Sequence, residues 1–352
     1  MRETHEIRLP EGRASILFHY SEGHVAGSGP GAERVVAIEA SDPRFARIGA
    51  LDAESRALGK GGLITGYRVR REFTDAERSA ASLFRLEIRR VFGPSGAECG
   101  TEHDATAACP RCGVGRIRTS PRLRLDCASV RGAAIARTVA NEIVVSRAVA
   151  ERLEAGGFTG FELRPIERPR EPWPGPFRLE SVPSGRLLAE RARARGIEPR
   201  AFEFAEFASG GEERDLLARA HAEAAPRTPE PEIDPEFLEL VPTGPRAEIV
   251  PPTRCGVSPF DPDEAGEFRC PEGHTLGLRL LTPVTVACDA AAPGADLVAT
   301  RQAVGWPTAL ATAPAPLLLL SPRFESALRP MAARSVHTEP AENGARHDFH
   351  SA

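Results

Sequence analysis

Lysine is almost absent from this chain. Lys60 is the only one among 45 basic residues, so the other 44 are arginines. Schiff-base or lysine-base chemistry would have to run through Lys60, which sits in Gly59-Lys60-Gly61-Gly62. That stretch lacks the GxxxxGK[ST] spacing of a phosphate-binding loop and reads as a flexible turn. Long apolar runs are missing too. The longest aliphatic run is Leu317–Leu320, against the roughly 20 residues that a membrane helix needs. The start, Met1 to Pro10, is charged and has no apolar h-region, so no export signal is expected. Aromatic residues make up 6%, with two Trp and two Tyr, which is little material for an aromatic-lined sugar or peptide groove. The formal net charge of −4 supplies no global cationic field for nucleic acid. No G-x-S-x-G, H-E-x-x-H or G-x-G-x-x-G in a β-α context is present, so the common hydrolase, zincin and dinucleotide signatures are lacking.

What is present is globular in character. The 352 residues are 41% hydrophobic and 27% charged, which excludes collagen-like, coiled-coil and wholly disordered chains. Val35–Ile38 reads as a buried strand, and Ser21 to Gly31 as a polar loop. Thr74-Asp75-Ala76-Glu77 is a capping box and predicts a helix start. Phe84, Leu86 and Ile88 alternate with Arg85, Glu87 and Arg89, the period of a half-exposed strand. Leu123 and Leu125 alternate in the same way. Glu142–Val145 reads as a strand, Ser146 as the cap of a helix over 147–155, Gly156-Gly157 as its end, and 161–165 as the strand that completes a β-α-β unit.

That unit recurs 175 residues later. Ser146 falls on Ser321, Val149 on Phe324, Leu153 on Leu328, Phe161 on Val336 and Pro165 on Pro340. Pro322 takes the first helical position, where a missing N–H costs nothing. Upstream, Cys109-Pro110 matches Cys270-Pro271 at a shift of 161. The expected architecture is therefore α/β, or α+β, in two related halves. Each half has a Cys-Pro knuckle, a strand and a β-α-β unit. The N-terminal half is 1–167 and the C-terminal half 253–342. Between them, 168–252 reads as a connector with helices at 185–195 and 212–224 and a Pro-rich extended stretch from 226. Residues 343–352 read as a frayed tail.

Seven cysteines in a chain too large to need staples fit cytoplasmic thiols and a metal site better than a disulfide framework. Cys109-Pro110-Arg111-Cys112-Gly113 is a knuckle whose turn can aim two sulfurs at one metal. A structural zinc wants four ligands, so this is half a site. Cys270-Pro271-Glu272-Gly273-His274 offers a Cys and a His across a similar turn. Two closures are open. In one, Cys109, Cys112, Cys270 and His274 share a zinc. In the other, Cys99 and His103 complete the first knuckle while Cys255 assists the second. Free cysteines in a tight turn are the plain alternative. A redox C-x-x-C normally opens a helix, which Gly113-Val114-Gly115 disfavours. Cys127 and Cys288 read as small buried apolar residues. No catalytic or organic-cofactor residues emerge.

Five arginines and no acid lie between Cys109 and Leu125. They are Arg111, Arg116, Arg118, Arg122 and Arg124, a solvated strand face or a contact for phosphates. The knuckle, Leu125-Asp126, Ile143-Val144-Val145-Ser146 and Gly160-Phe161-Glu162-Leu163-Arg164-Pro165 together resemble the double-CXXCG motif family of myxobacterial proteins. That group includes immunity proteins of contact-delivered toxin systems. The resemblance covers 105–167 and, more loosely, 270–340. The family's second CXXCG is replaced here by Cys270-Pro271-Glu272-Gly273-His274. The resemblance implies a cysteine-bound Zn2+ and a non-catalytic, partner-binding role. The expected function is a cytoplasmic, non-enzymatic zinc-knuckle protein that binds a protein partner, such as a toxin. The alternatives are a zinc-ribbon nucleic-acid-binding protein using Arg111–Arg124, and a metal-dependent enzyme, which would need an open coordination position.

Overall fold

A computed structural model describes residues 1–352 except 61, 105, 110–111, 170–231, 264–268, 278, 288–293, 306–313 and 345–352. Helices and strands are mixed in it. The expected helices at 185–195 and 212–224, and Cys288, lie outside the described residues. The N-terminal part is a four-stranded antiparallel sheet in the order β2 (His24–Ala26), β3 (Glu33–Glu39), β1 (Arg2–Pro10), β4 (Gly66–Glu72). The short helix α1 (Glu11–Ala14) and the longer α2 (Pro43–Ala57) accompany it. Asp42 caps α2 by accepting from the Arg44 N–H at 2.9 Å, and Pro43 takes the first position. Buried Asp52 on α2 accepts from the backbone N–H groups of Leu63 and Ile64, which fixes the chain leading into β4. Helix α3 (Asp75–Ala80) starts at the capping box, with both reciprocal bonds formed between Thr74 and Glu77.

The second sheet has six strands. Its order is β6 (Val91–Phe92), β10 (Ile135–Thr138), β11 (Ile143–Ser146), β13 (Ile233–Pro242), β12 (Phe161–Glu167), β9 (Leu123–Arg124). The third is a closed barrel. Its strands run β14 (Arg246–Ile249), β17 (Thr285–Ala287), β20 (Val336–Asn343), β5 (Leu83–Ile88), β19 (Ala315–Leu320), β18 (Leu297–Val304). Two hairpins stand apart, β7 (His103–Asp104) with β8 (Ile117–Arg118) and β15 (Gly256–Ser258) with β16 (Asp261–Pro262).

Helix α4 (Arg147–Ala155) links β11 to β12, and α5 (Pro322–Ala332) links β19 to β20. Each helix begins at a serine that accepts from the N–H three residues on: Val149 to Ser146 at 3.4 Å, and Phe324 to Ser321 at 3.1 Å. Neither strand pair is adjacent. β13 lies between β11 and β12, antiparallel to both. β5 lies between β19 and β20, also antiparallel to both. The strand at the centre of each unit thus comes from outside it in sequence, β13 from between the two units and β5 from before the first. A single core joins the two sheets, with Val145, Val149 and Leu153 packed beside Phe84, Leu86, Leu320, Phe324 and Leu328.

Three expectations need correction. Residues 233–249 are not extended linker, because they form β13 and β14. The prolines that suggest a linker sit where the ladder does not need an N–H. Pro242 ends β13, and Pro235 falls in the irregular stretch between the Leu238 and Ile233 pairings with β12, as proline in a sheet requires. The boundaries at 167 and 253 do not separate two self-contained sheets, since β5 from the N-terminal half sits in the barrel, and the 168–252 stretch supplies β13 to the six-stranded sheet and β14 to the barrel. Finally, Asn343 belongs to β20 rather than to a tail, and the Gly344 N–H still donates to Val286 O at 2.9 Å.

Candidate metal centre

The first knuckle hangs from the β7–β8 hairpin, which pairs His103 with Arg118. The Cys109 N–H donates to Val114 O and the Gly113 N–H to Cys109 O, both at 2.8 Å. Gly113 is left-handed at φ +70°, a conformation that a residue with a Cβ rarely adopts. The second knuckle closes in the same manner. The Gly273 N–H donates to Cys270 O at 2.8 Å, and Gly273 has φ +73°. The Cys270 N–H donates to Thr275 Oγ1 at 2.9 Å. This knuckle is stitched to β18, where the Ala303 N–H donates to His274 O and the Leu276 N–H to Ala303 O.

These attachments bring the two turns face to face. Cys109 Sγ lies 3.5 Å from Cys270 Sγ, Cys112 Sγ 3.8 Å from His274 Nδ1, and Cys270 Sγ 3.9 Å from the same nitrogen. All four ligand atoms lie within 4.8 Å of one another. A tetrahedral metal with bonds of about 2.0–2.3 Å to nitrogen and sulfur would have edges of roughly 3.5–3.8 Å. The separations fit that figure, so this cluster of three sulfurs and one nitrogen could hold a metal ion. The three cysteines are buried and His274 is half-buried. Burial pushes the Cys112 thiol up to about 12, and the Cys109 and Cys270 sulfurs add to this against an opposing hydrogen bond at Val114. A bound cation works the other way, because it takes the thiolate.

Among the described residues, the remaining sulfurs and the other expected ligand lie outside this cluster. Cys99 packs with Leu123, Leu125 and Cys127 in a core. His103 Nδ1 sits 3.2 Å from Thr101 O. Cys255 is buried and bridges to Leu280. Burial pushes the Cys99 and Cys255 thiols up to about 11. None of the described cysteines is in a disulfide.

The arginine run beside the first knuckle is largely neutralised. Arg118 donates to Glu239 at 2.7 Å, Arg124 to Glu167 at 3.1 Å, and Arg122 lies 3.7 Å from Glu167. Arg111 is outside the described residues. Among the described residues, no helix is long and apolar enough to cross a membrane. No family model, curated protein or solved structure matches the chain.

Proposed function

We propose that this chain is a non-enzymatic, zinc-braced protein that binds a protein partner, as an immunity-type inhibitor binds its toxin. The observation that carries this reading is the closed donor set of three sulfurs and one nitrogen from Cys109, Cys112, Cys270 and His274. Four protein ligands fill a zinc tetrahedron and leave no position for substrate, as in structural rather than catalytic sites. Three buried thiols favour zinc over harder cations. The ligands would be Cys109 and Cys112 from one knuckle and Cys270 and His274 from the other, so the metal would tie residues about 160 apart.

The same reading treats the chain as two related halves, in each of which a strand from outside the unit splits the helix-linked pair. It is supported by helix caps 175 residues apart at Ser146 and Ser321 and by an antiparallel strand inserted into each helix-linked pair. With β5 of the N-terminal half inside the barrel, the halves cannot part without breaking that sheet. A metal at the junction would add a brace to an already interlocked body, which suits a rigid binding surface. Rigid surfaces bind with little ordering cost.

The test is to express each protein encoded beside this gene, take any that is toxic on its own, and look for its complex with this chain. Purified together, the two should migrate as one species in size-exclusion chromatography, and the complex should block the toxin's activity. A folded, zinc-loaded chain that neither comigrates with nor inhibits that protein would refute the proposal.

A further inference from the structure

A cleft of about 1020 Å³ opens where β4 of the N-terminal sheet meets the barrel and the β10–β11 turn. Its charge is unlike that of the whole molecule. Eight arginines line it against three glutamates, in a chain whose formal net charge is −4. The acids do not balance the bases. Glu339 is held by Arg85 at 2.9 Å and Arg71 at 3.7 Å, and Glu87 lies 3.6 Å from Arg85. That leaves Arg68, Arg70, Arg89, Arg137, Arg246 and Arg279 in no ion pair with a carboxylate among the described residues.

Arg137 is the most telling of the six. It is half-buried, its Nε donates to Ile88 O at 3.1 Å, and its Nη1 donates to Asn141. It therefore holds a partly desolvated charge that backbone and amide oxygens only partly compensate. Glu87 acts on it through space but forms no ion pair with it, so the charge stays only partly compensated, which is costly. Elsewhere the fold pairs a buried arginine, as with Arg34 to Glu11. Part of the lining is apolar, with Val241, Leu317 and Leu318.

We propose that this cleft binds a small molecule carrying a polyphosphate group. Six guanidinium groups in no ion pair around one space, five of them exposed, suit a ligand with several negative charges. Their planar donor forks match phosphate oxygens. The volume suits a small organic ligand, and the apolar part of the lining can take a base or other uncharged body. This site is separate from the metal centre and does not depend on the protein-partner reading.

The experiment is isothermal titration calorimetry of the zinc-loaded full chain with inorganic tripolyphosphate and with adenosine triphosphate. Tripolyphosphate should bind at concentrations below about 1 mM and bind more weakly as salt is raised. Arg68→Glu with Arg246→Glu should weaken it by about tenfold or more. Arg152→Glu, on the exposed face of α4, should leave it unchanged, with zinc content the same in all variants. Tighter binding of adenosine triphosphate identifies an organic phosphate as the ligand, and equal binding identifies the polyphosphate group itself. No binding of tripolyphosphate by the wild type would overturn the proposal. So would equal weakening by Arg152→Glu, or no weakening by the cleft variants when both are folded. The milder pair Arg68→Gln and Arg246→Gln should show the same direction if charge reversal impairs folding.

Discussion

Removing the metal from the purified protein is expected to loosen both knuckles at once. The first knuckle is anchored by the β7–β8 hairpin and the second by β18, and the four candidate ligand atoms lie where the two turns meet. With free zinc near 1,000 times its dissociation constant, a metal that binds only the folded chain contributes about 4 kcal/mol. A chelator should remove that contribution and lower the melting temperature. Hydrogen exchange should then quicken together at the Gly113 and Gly273 amides, both of which close their turns by donating to a ligand cysteine's carbonyl. Without a metal, the turns keep the packing of Cys109, Cys112 and Cys270 with Val114, a small apolar contact that holds them less tightly than four metal bonds would. Faster exchange at one knuckle alone would mean that the turns are independent.

Phe324→Ala is expected to cost about 4 kcal/mol, within the range for truncating a fully buried aromatic. Phe324 is 1% exposed. Its ring meets Phe158 edge-on, with centroids 5.0 Å apart, and Phe161 with centroids 5.6 Å apart. It lies in the core shared by both sheets, next to the start of α5, whose cap is the neighbouring Ser321. The loss therefore falls on the contact between α5 and the loop after α4, where Arg323 also reaches Gly156 O and Gly157 O. Phe324→Leu keeps most of the volume and should cost much less. Urea unfolding midpoints of the three proteins check this. A wild-type midpoint for Phe324→Ala would show that the ring is not packed as described.

Legibility in the sequence depends on whether the signal is local. The capping box at Thr74, the caps at Ser146 and Ser321, and the alternation in β5 are written in neighbouring residues, and each leads to the element observed. The strand between β11 and β12 is not legible, because strand insertion is decided by tertiary pairing and sequence order carries no mark of it. β13 is further disguised by Pro235 and Pro242. Helix α2 gives little sequence signal because only Ile48 and Asp52 on it are fully buried, which makes a poor apolar stripe. Its sequence marker is Asp42-Pro43, a cap followed by a first-position proline. The knuckles are visible as pairs of ligands, but the choice between a shared and a separate site turns on contacts about 160 residues apart. The arginine cleft has no sequence pattern at all, since its unpaired bases run from Arg68 to Arg279.

Zinc content measured on the wild type, Cys112→Ser and Cys270→Ser tests the central claim most directly. A single site built from both knuckles predicts one zinc per wild-type chain, lost in both variants. Zinc that persists in Cys270→Ser but vanishes in Cys112→Ser, or a wild type that carries none after purification without chelator, would contradict it.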